Sequence, residues 1–152
     1  MKKILIAVDY HPTSEKVAET GYKLAQQVGA EVCLIHVIAE TRYYGVEYPS
    51  FLGHTSYNYN FAMDERVNTQ IENMAKDFLE QAALHLDNKV TTKLIKGETA
   101  SSILKYANEW QADLIVMGTH SHSVLEKLLM GTEAMKVLEK TQIPVFMVPV
   151  KK

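Results

Sequence analysis

The sequence is poor in cysteine, in surplus charge of either sign and in long apolar runs. Its single cysteine, Cys33, excludes an internal disulfide and suits a reducing compartment. A formal net charge of -2 lacks the basic footprint typical of nucleic-acid-binding proteins. The apolar run that follows Lys2 and Lys3 ends at Asp9, which is too early for a signal peptide or a membrane span. We therefore expect a cytoplasmic protein without a membrane or nucleic-acid partner.

Most sequence signatures of catalysis are also absent. The chain has no G-x-S-x-G elbow, no H-E-x-x-H, no Walker lysine loop, and no G-x-G-x-x-G after its first apolar run. His120 and His122 have a spacing that suits two metal ligands, but no acidic residue or cysteine adjoins them, which favours an exposed pair. His36 lies in an apolar run and is predicted to be buried with one hydrogen bond. A response-regulator receiver is excluded, because residues 94–96 lack the acceptor aspartate that would close its third strand.

Apolar runs alternate with segments of helical periodicity along the whole chain. The predicted strands occupy residues 3–8, 32–38, 89–95, 114–117 and 145–150. The predicted helices run from residues 13–14 to 28, from about 64 to 86, from Thr99 to about 110, and from 132 to 139. This alternation predicts βαβ units and a parallel sheet in one α/β domain over residues 1–152. A ligand is then expected at the carboxyl ends of the first and fourth strands.

Local signals predict where the helices begin and end and which side they bury. Thr13 or Ser14 is predicted to cap the first helix, and Gly29 to end it. Thr99 is predicted to cap the third helix. Apolar positions of the second helix recur at helical spacing, which predicts one buried face formed by Val67, Ile71, Met74, Phe78 and Ala82.

A tyrosine-rich loop at about residues 41–62 separates the second strand from the second helix. Its aromatic residues are Tyr43, Tyr44, Tyr48, Phe51, Tyr57, Tyr59 and Phe61. Loops of this length inside a domain are usually functional or flexible. Two interpretations stay open: the rings cover the core or a second subunit, or they form a lid over the ligand site or a surface for a partner.

Residues 117–137 carry the clearest binding signal. Gly118 closes the predicted fourth strand, and Gly131 with Thr132 precedes the last helix. Glycine lets the backbone approach a ligand closely, and the start of a helix offers free N–H groups to an anion. The hydroxyl of Thr132 is able to cap that helix or to bind a phosphate oxygen. The segment therefore predicts a phosphate-binding loop.

Together with other parts of the chain, this segment gives the sequence a pattern that resembles the universal stress protein family. The matching pieces occur in family order and span nearly the whole chain: residues 3–9, 34–37, Gly97, 112–120, 131–132 and 143–149. The resemblance implies an open three-layer sandwich with a five-stranded parallel sheet, similar to the adenine nucleotide alpha hydrolases. It also implies a homodimer formed through the final strand, which runs from Val145 to Val150.

Many members of that family bind ATP, with Mg²⁺ accompanying it, through a G-x-x-G motif followed after nine residues by G-S or G-T. The resemblance implies that Asp9 faces the nucleoside and that the backbones of Gly118 and Gly131 hold ribose and phosphates. The full implied site consists of Ala7, Val8, Asp9, Val37, Met117, Gly118, Ser121, Gly131, Thr132 and Glu133.

Three positions affect how well the segment fits the binding pattern. Ser121 replaces the middle glycine, and its Cβ resists a positive φ and a close backbone approach to phosphate. His122 follows at a position that is often basic in family members that bind ATP. Glu133 places a carboxylate beside the expected phosphate oxygens, which is unfavourable unless its side chain points away. The loop thus keeps the first glycine and the last pair of the motif but lacks the middle glycine.

Three functions remain open on these grounds. The leading hypothesis is a dimeric stress-response module that binds an adenine nucleotide with little or no turnover. The second is a dimeric interaction protein of the same fold that binds no nucleotide. The third is a slow ATPase, for which the sequence offers His120 as the one nearby base and no acidic pair for Mg²⁺ beyond Asp9.

Overall fold

Five strands form one parallel sheet in the computed structural model, which describes residues 1–39, 59–119 and 132–150. Within those ranges, the side chains of residues 59–64 and 132 lie outside the description. In chain order the elements are β1 (Lys3–Ala7), α1 (Ser14–Val28), β2 (Glu31–Ala39), α2 (Tyr59–Leu86), β3 (Thr91–Gly97), α3 (Thr99–Glu109), β4 (Leu114–Gly118), α4 (Thr132–Lys140) and β5 (Val145–Val148).

The strand order is β3-β2-β1-β4-β5, which places β1 at the centre of the sheet. Ile4 pairs with Val32 of β2 on one side and with Leu114 of β4 on the other, all in parallel. The chain therefore builds one half of the sheet and then crosses over β1 to build the other. The winding direction reverses between β1 and β4, as predicted, and the parallel α/β fold is confirmed.

Two apolar cores lie on opposite faces of the sheet. Ile4 and Ile6 of β1 point to the core that α1 and α2 cover, while Leu5 points to the core that α3 and α4 cover. All three side chains are fully buried, and each such burial stabilises the fold by roughly 1.5–3 kcal/mol. Because both faces are covered, the central strands are apolar throughout instead of alternating.

The ends of the helices differ from the sequence prediction in detail. Thr13 occupies the cap position of α1, but its side chain makes no capping bond and instead contacts the Nδ1 atom of His11 at 2.7 Å. Thr99 is the first residue of α3 and not its cap; Glu98 takes that role by accepting a hydrogen bond from the Ser101 N–H at 2.7 Å. Gly29 ends α1 with a φ of 68°, as predicted.

The predicted buried face of α2 is wrong over its first half. Val67, Ile71 and Met74 are 44%, 37% and 67% exposed, whereas Ala75, Leu79 and Ala83 are buried, with Phe78 and Ala82 packed beside them. A helix of 28 residues is roughly 42 Å long, far longer than the strands it covers. Glu72 forms an ion pair with Lys96 near the end of β3, so residues 59–71 extend past the carboxyl edge of the sheet. The apolar period of the first half therefore has no sheet beneath it.

The last strand is shorter than predicted. β5 ends at Val148, two residues before Val150, and it pairs with β4 alone within the described part of the chain. Phe146 is 41% exposed at this edge. In the ranges that the structure describes, no helix is both long and apolar enough to cross a membrane.

Candidate functional site

A cavity of about 590 Å³ opens at the carboxyl ends of β1, β2 and β4. Its lining comes from these strand ends and from the starts of α1, α3 and α4: Ala7, Val8, Asp9, Thr13, Ser14, Val17, Ile35, His36, Val37, Ala39, Thr99, Ile103, Met117, Gly118, Glu133, Ala134 and Lys136. The cavity lies at the point where the winding direction of the sheet reverses, which is where parallel sheets bind ligands.

Most of the residues that the sequence indicated for a site meet at this cavity. Those that line it are Ala7, Val8, Asp9, Val37, Met117, Gly118 and Glu133. Thr132 is the first residue of α4, directly before Glu133. Ser121 and Gly131 lie outside the described residues, as do His120, His122 and residues 41–58 of the tyrosine-rich loop. The strand-borne part of the predicted site is therefore assembled in one place.

The carboxylate of Asp9 is held in place by the turn that follows β1. Its Oδ1 atom accepts hydrogen bonds from the His11 N–H at 2.9 Å and from the Ser14 hydroxyl at 2.6 Å. The Asp9 N–H in turn donates to the oxygen of that hydroxyl at 3.0 Å. Ser14, the first residue of α1, therefore fixes the acidic group at the mouth of the cavity. Ser14 does not cap the helix, because it lies one residue past the cap position, which Thr13 holds.

The floor of the cavity is apolar and buried. Val8, Val37 and Met117 are all less than 10% exposed and come from three adjacent strands or their ends. Behind them, His36 Nδ1 donates a hydrogen bond to the Val8 carbonyl oxygen at 2.8 Å, because a carbonyl only accepts. The buried histidine with one hydrogen bond was predicted, and it is confirmed. Its ring also packs against Tyr10 at 4.7 Å between centroids.

A cluster of charged side chains forms the far wall, between α3 and α4. Glu133 accepts a hydrogen bond from the Ala100 N–H at 3.2 Å and another from Lys136 Nζ at 2.9 Å. Lys136 Nζ also lies 3.5 Å from Glu98 Oε1. The Glu133 carboxylate therefore points to the start of α3 and is partly neutralised. This arrangement removes much of the repulsion that its position in the sequence suggested.

The same contacts shift two pKa values. Hydrogen bonds from Ser101, with a smaller contribution from Lys136, lower the pKa of Glu98 to about 2. The hydrogen bond from Lys136 to Glu133, assisted by both carboxylate charges, raises the pKa of the Lys136 ammonium. Lys136 therefore stays charged at neutral pH while it lines the cavity. Sequence reasoning missed this cation, although its spacing of three residues from Glu133 is typical of helical ion pairs.

The described wall of the cavity thus has two chemically distinct ends. An apolar floor and the fixed Asp9 carboxylate lie beside β1, and a lysine and the starts of two helices lie toward α3 and α4. A flat apolar group with hydroxyl donors suits the first end, and an anion suits the second.

Comparison with known proteins gives one consistent result. The model of the Universal stress protein family matches residues 1–149. The universal stress protein MJ0531 of Methanocaldococcus jannaschii is 29% identical over 147 residues, which cover 97% of this chain and 81% of that protein. The solved structure of MJ0577, a universal stress protein of the same organism, is 26% identical with a TM-score of 0.78 and covers 99% of this chain and 97% of that one.

Two solved universal stress proteins hold nucleotides. One is in complex with cAMP and is 14% identical with a TM-score of 0.65, covering 97% of this chain and 96% of that one. The protein from Archaeoglobus fulgidus is in complex with dAMP and is 20% identical with a TM-score of 0.61, covering 97% of each chain. At these identities the likeness shows a shared fold and nothing further.

Proposed function

The chain belongs to the universal stress protein family, and from this premise we propose that it binds an adenine nucleotide in the cavity at the ends of β1, β2 and β4. Binding, with little or no turnover, would switch a dimeric stress-response module between two states. The observation that carries the proposal is that β1, β2, β4 and α4 bring seven sequence-indicated residues to a single cavity at the reversal point of the sheet.

The nucleoside end of the proposal rests on shape and on one acceptor. A volume of about 590 Å³ lies in the range of small-molecule sites, which is about 300–1,000 Å³. The adenine ring would lie on Val8, Val37 and Met117, and the ribose hydroxyls would donate to Asp9. An acidic side chain after a strand plays the equivalent role for ribose in dinucleotide-binding sheets. The bonds from Ser14 and His11 keep this carboxylate ready for that contact.

The phosphate end rests on charge and on helix geometry. The start of α4 at Thr132 presents backbone N–H groups, and Gly118 lets the end of β4 approach a ligand closely. Lys136 supplies a positive charge one helical turn further on, where Glu133 holds it. ATP with Mg²⁺ is the proposed ligand. The ligands cAMP and dAMP of two proteins with this fold share its adenine ring and phosphate chemistry.

A second candidate function is supported by the free edge of the sheet. In β5, Phe146 is 41% exposed, and within the described chain the strand has one neighbour. Unprotected edges favour pairing with another chain. We infer a homodimer through the segment from Val145 to Val150, whether or not a nucleotide binds. An interaction protein that works by this dimer alone is the alternative to nucleotide binding.

Calorimetric titration with Mg-ATP and with AMP tests the proposed site. The variant Asp9→Asn keeps the size of the side chain and removes the acceptor charge, so affinity should fall about 10- to 100-fold, the usual effect of one hydrogen bond to a charged group. The matched control is Asp77→Asn, because Asp77 is exposed on α2 away from the cavity. Equal affinity for the wild type and the Asp9 variant would exclude the assigned nucleoside end. If neither Mg-ATP nor AMP binds the wild type, the alternative function as a dimeric interaction protein is favoured.

A further inference from the structure

Outside the cavity, three side chains with metal-binding atoms meet on the surface between α1 and α2. Glu15 and Glu19 lie four residues apart and therefore on one face of α1. His85 reaches them from the last turn of α2. Its Nε2 atom is 3.5 Å from Glu15 Oε1 and 3.2 Å from Glu19 Oε1.

The two distances from His85 to the carboxylates match a tetrahedral metal site. Two ligand atoms that bind one zinc ion at about 2.0–2.1 Å lie about 3.3 Å apart. The two distances from His85 fall on either side of that value, and the donor atoms of the whole group lie within 4.8 Å of one another. Each side chain is at least 42% exposed, so an ion has access and small rotations suffice to complete the coordination.

The packing of α1 and α2 against the core positions the three side chains. Ala18 of α1 and Ala83 of α2 are buried in the core beneath it. The Tyr22 hydroxyl of α1 donates a hydrogen bond of 2.9 Å to Asp87, the residue that follows α2. This bond ties the middle of α1 to the C-terminal end of α2, the end that carries His85. A groove of about 350 Å³, to which Glu15 and His85 contribute, leaves room for water on the ion.

The donor set selects the class of ion. One imidazole nitrogen and two carboxylates balance the charge of a divalent cation. Imidazole suits zinc and its neighbours among the transition metals, whereas Mg²⁺ and Ca²⁺ prefer oxygen donors alone. A surface ion pair between the same side chains would contribute only about 0–1 kcal/mol to stability. The geometry alone is compatible with that weaker role, so ion binding is the property to measure.

We propose that Glu15, Glu19 and His85 form a zinc-type divalent metal site that links α1 to α2. Water fills the remaining coordination position. Because the ion binds the folded chain across two helices, it stabilises the fold, and the stabilisation grows with the logarithm of the ion concentration above the dissociation constant.

Titration of the protein with ZnCl₂, followed by calorimetry and by thermal unfolding, tests the proposal. We expect one ion per chain and a rise in the unfolding temperature. His85→Ala and Glu19→Gln should each weaken binding by at least about 10- to 100-fold, the loss typical even of outer-shell changes at metal sites. Co²⁺ in place of Zn²⁺ should give the intense visible absorption of a tetrahedral site, and His85→Ala should remove it.

Two controls separate this site from others. Glu80→Gln removes an exposed carboxylate elsewhere on α2 and should leave zinc affinity unchanged. The double variant His120→Ala, His122→Ala removes the H-x-H pair and should also leave it unchanged. No saturable zinc binding by the folded wild type overturns the proposal and leaves a surface ion pair only. Binding that survives His85→Ala but is lost in the double variant overturns it as well.

Discussion

The carboxylate of Glu133 accepts a hydrogen bond from the backbone N–H of Ala100 at 3.2 Å, which ties the start of α4 to the start of α3. A helix start is a natural position for an anion, so Glu133 occupies one of the anion-binding positions in the wall of the cavity. Lys136 neutralises the other oxygen of the carboxylate at 2.9 Å. The phosphate end of the proposed site therefore holds an internal anion, Glu133, whose cation Lys136 also lies 3.5 Å from Glu98.

Removal of the internal anion should strengthen nucleotide binding. Glu133→Gln keeps an acceptor for the Ala100 N–H and removes one negative charge near the phosphates. At an effective surface dielectric, the loss of this charge repulsion corresponds to roughly 1 kcal/mol, or to an increase of about fivefold in affinity for Mg-ATP. Lys136→Met removes the cation and should weaken binding by a similar factor. Isothermal titration of both variants is the measurement; unchanged affinity in both would contradict the placement of phosphates at this wall.

The low pKa of Glu98 predicts an acid-dependent contribution to stability. Its pKa falls from 4.5 in the unfolded chain to about 2 in the folded one, so the folded state favours the charged carboxylate. The contribution is complete above about pH 4.5 and is lost as the pH falls toward 2. Glu98 is partly exposed, so the discounted magnitude is about 1 kcal/mol, which is usual for a helix cap.

Urea unfolding of the wild type and Glu98→Gln at several pH values measures this contribution. The variant should be less stable by about 1 kcal/mol at pH 7, and the gap should close between about pH 4.5 and 2. Glu109→Gln, at the far end of α3 and exposed, is the control and should show no such convergence. A gap that stays constant down to pH 2 would contradict the cap as the source of the shift.

Gly21 is required for the contact between α1 and the sheet. A Cβ atom at this position would lie 2.7 Å from Ile6 Cδ1 and 3.2 Å from Val116 Cγ1. Both neighbours are fully buried and have little space to move. Gly21→Val should therefore lower the free energy of unfolding by about 1–3 kcal/mol, despite the poor helix propensity of glycine.

Chemical denaturation of Gly21→Val measures this loss. The matched control is Gln27→Val, on the exposed side of the same helix. It carries the same β-branched side chain without the contact and should cost only a few tenths of a kcal/mol. Equal destabilisation by the two changes would mean that helix propensity, and not the close approach, determines the effect.

The proposed dimer predicts a specific effect of charge at the sheet edge. Phe146→Glu places a carboxylate on β5, where strands of two chains would meet, and should convert the dimer to a monomer in light scattering at micromolar concentration. Met135→Glu is the control, because Met135 is exposed to nearly the same extent, 42% against 41%, on α4. A wild type that is monomeric, or a Phe146 variant that stays dimeric, contradicts pairing through this edge.

The sequence predicted the strands better than it predicted the helix surfaces. Buried parallel strands are continuous runs of β-branched and apolar residues, so β1, β2 and β4 were placed within one or two residues. The apolar period of α2 fits two adjacent faces equally well. Which one is buried depends on how far the helix extends past β3, and this is a tertiary property that local periodicity does not contain.

In the candidate site too, the residues at strand ends were predicted, and the residue whose role depends on helix packing was not. Asp9 and Gly118 were found because the first follows β1, the second ends β4, and both strand ends are visible in the sequence. Lys136 was missed because its relevance arises from the approach of α3 to α4, which brings Glu98 within 3.5 Å of it. Glu98 was likewise missed as the cap of α3, and Thr99 was predicted in its place. Threonine has the higher propensity at the N-cap position, although either side chain can accept a hydrogen bond from an N–H of the first turn.

The most direct test of the central claim is the nucleotide content of the purified protein. The protein is isolated without added nucleotide and denatured, and the supernatant is separated by ion-pair chromatography. We expect adenine nucleotide bound to the wild type. If the cavity is isolated empty, we expect saturable heat on titration with millimolar Mg-ATP, which the Asp9→Asn variant weakens. An empty supernatant together with no heat at millimolar Mg-ATP would contradict nucleotide binding.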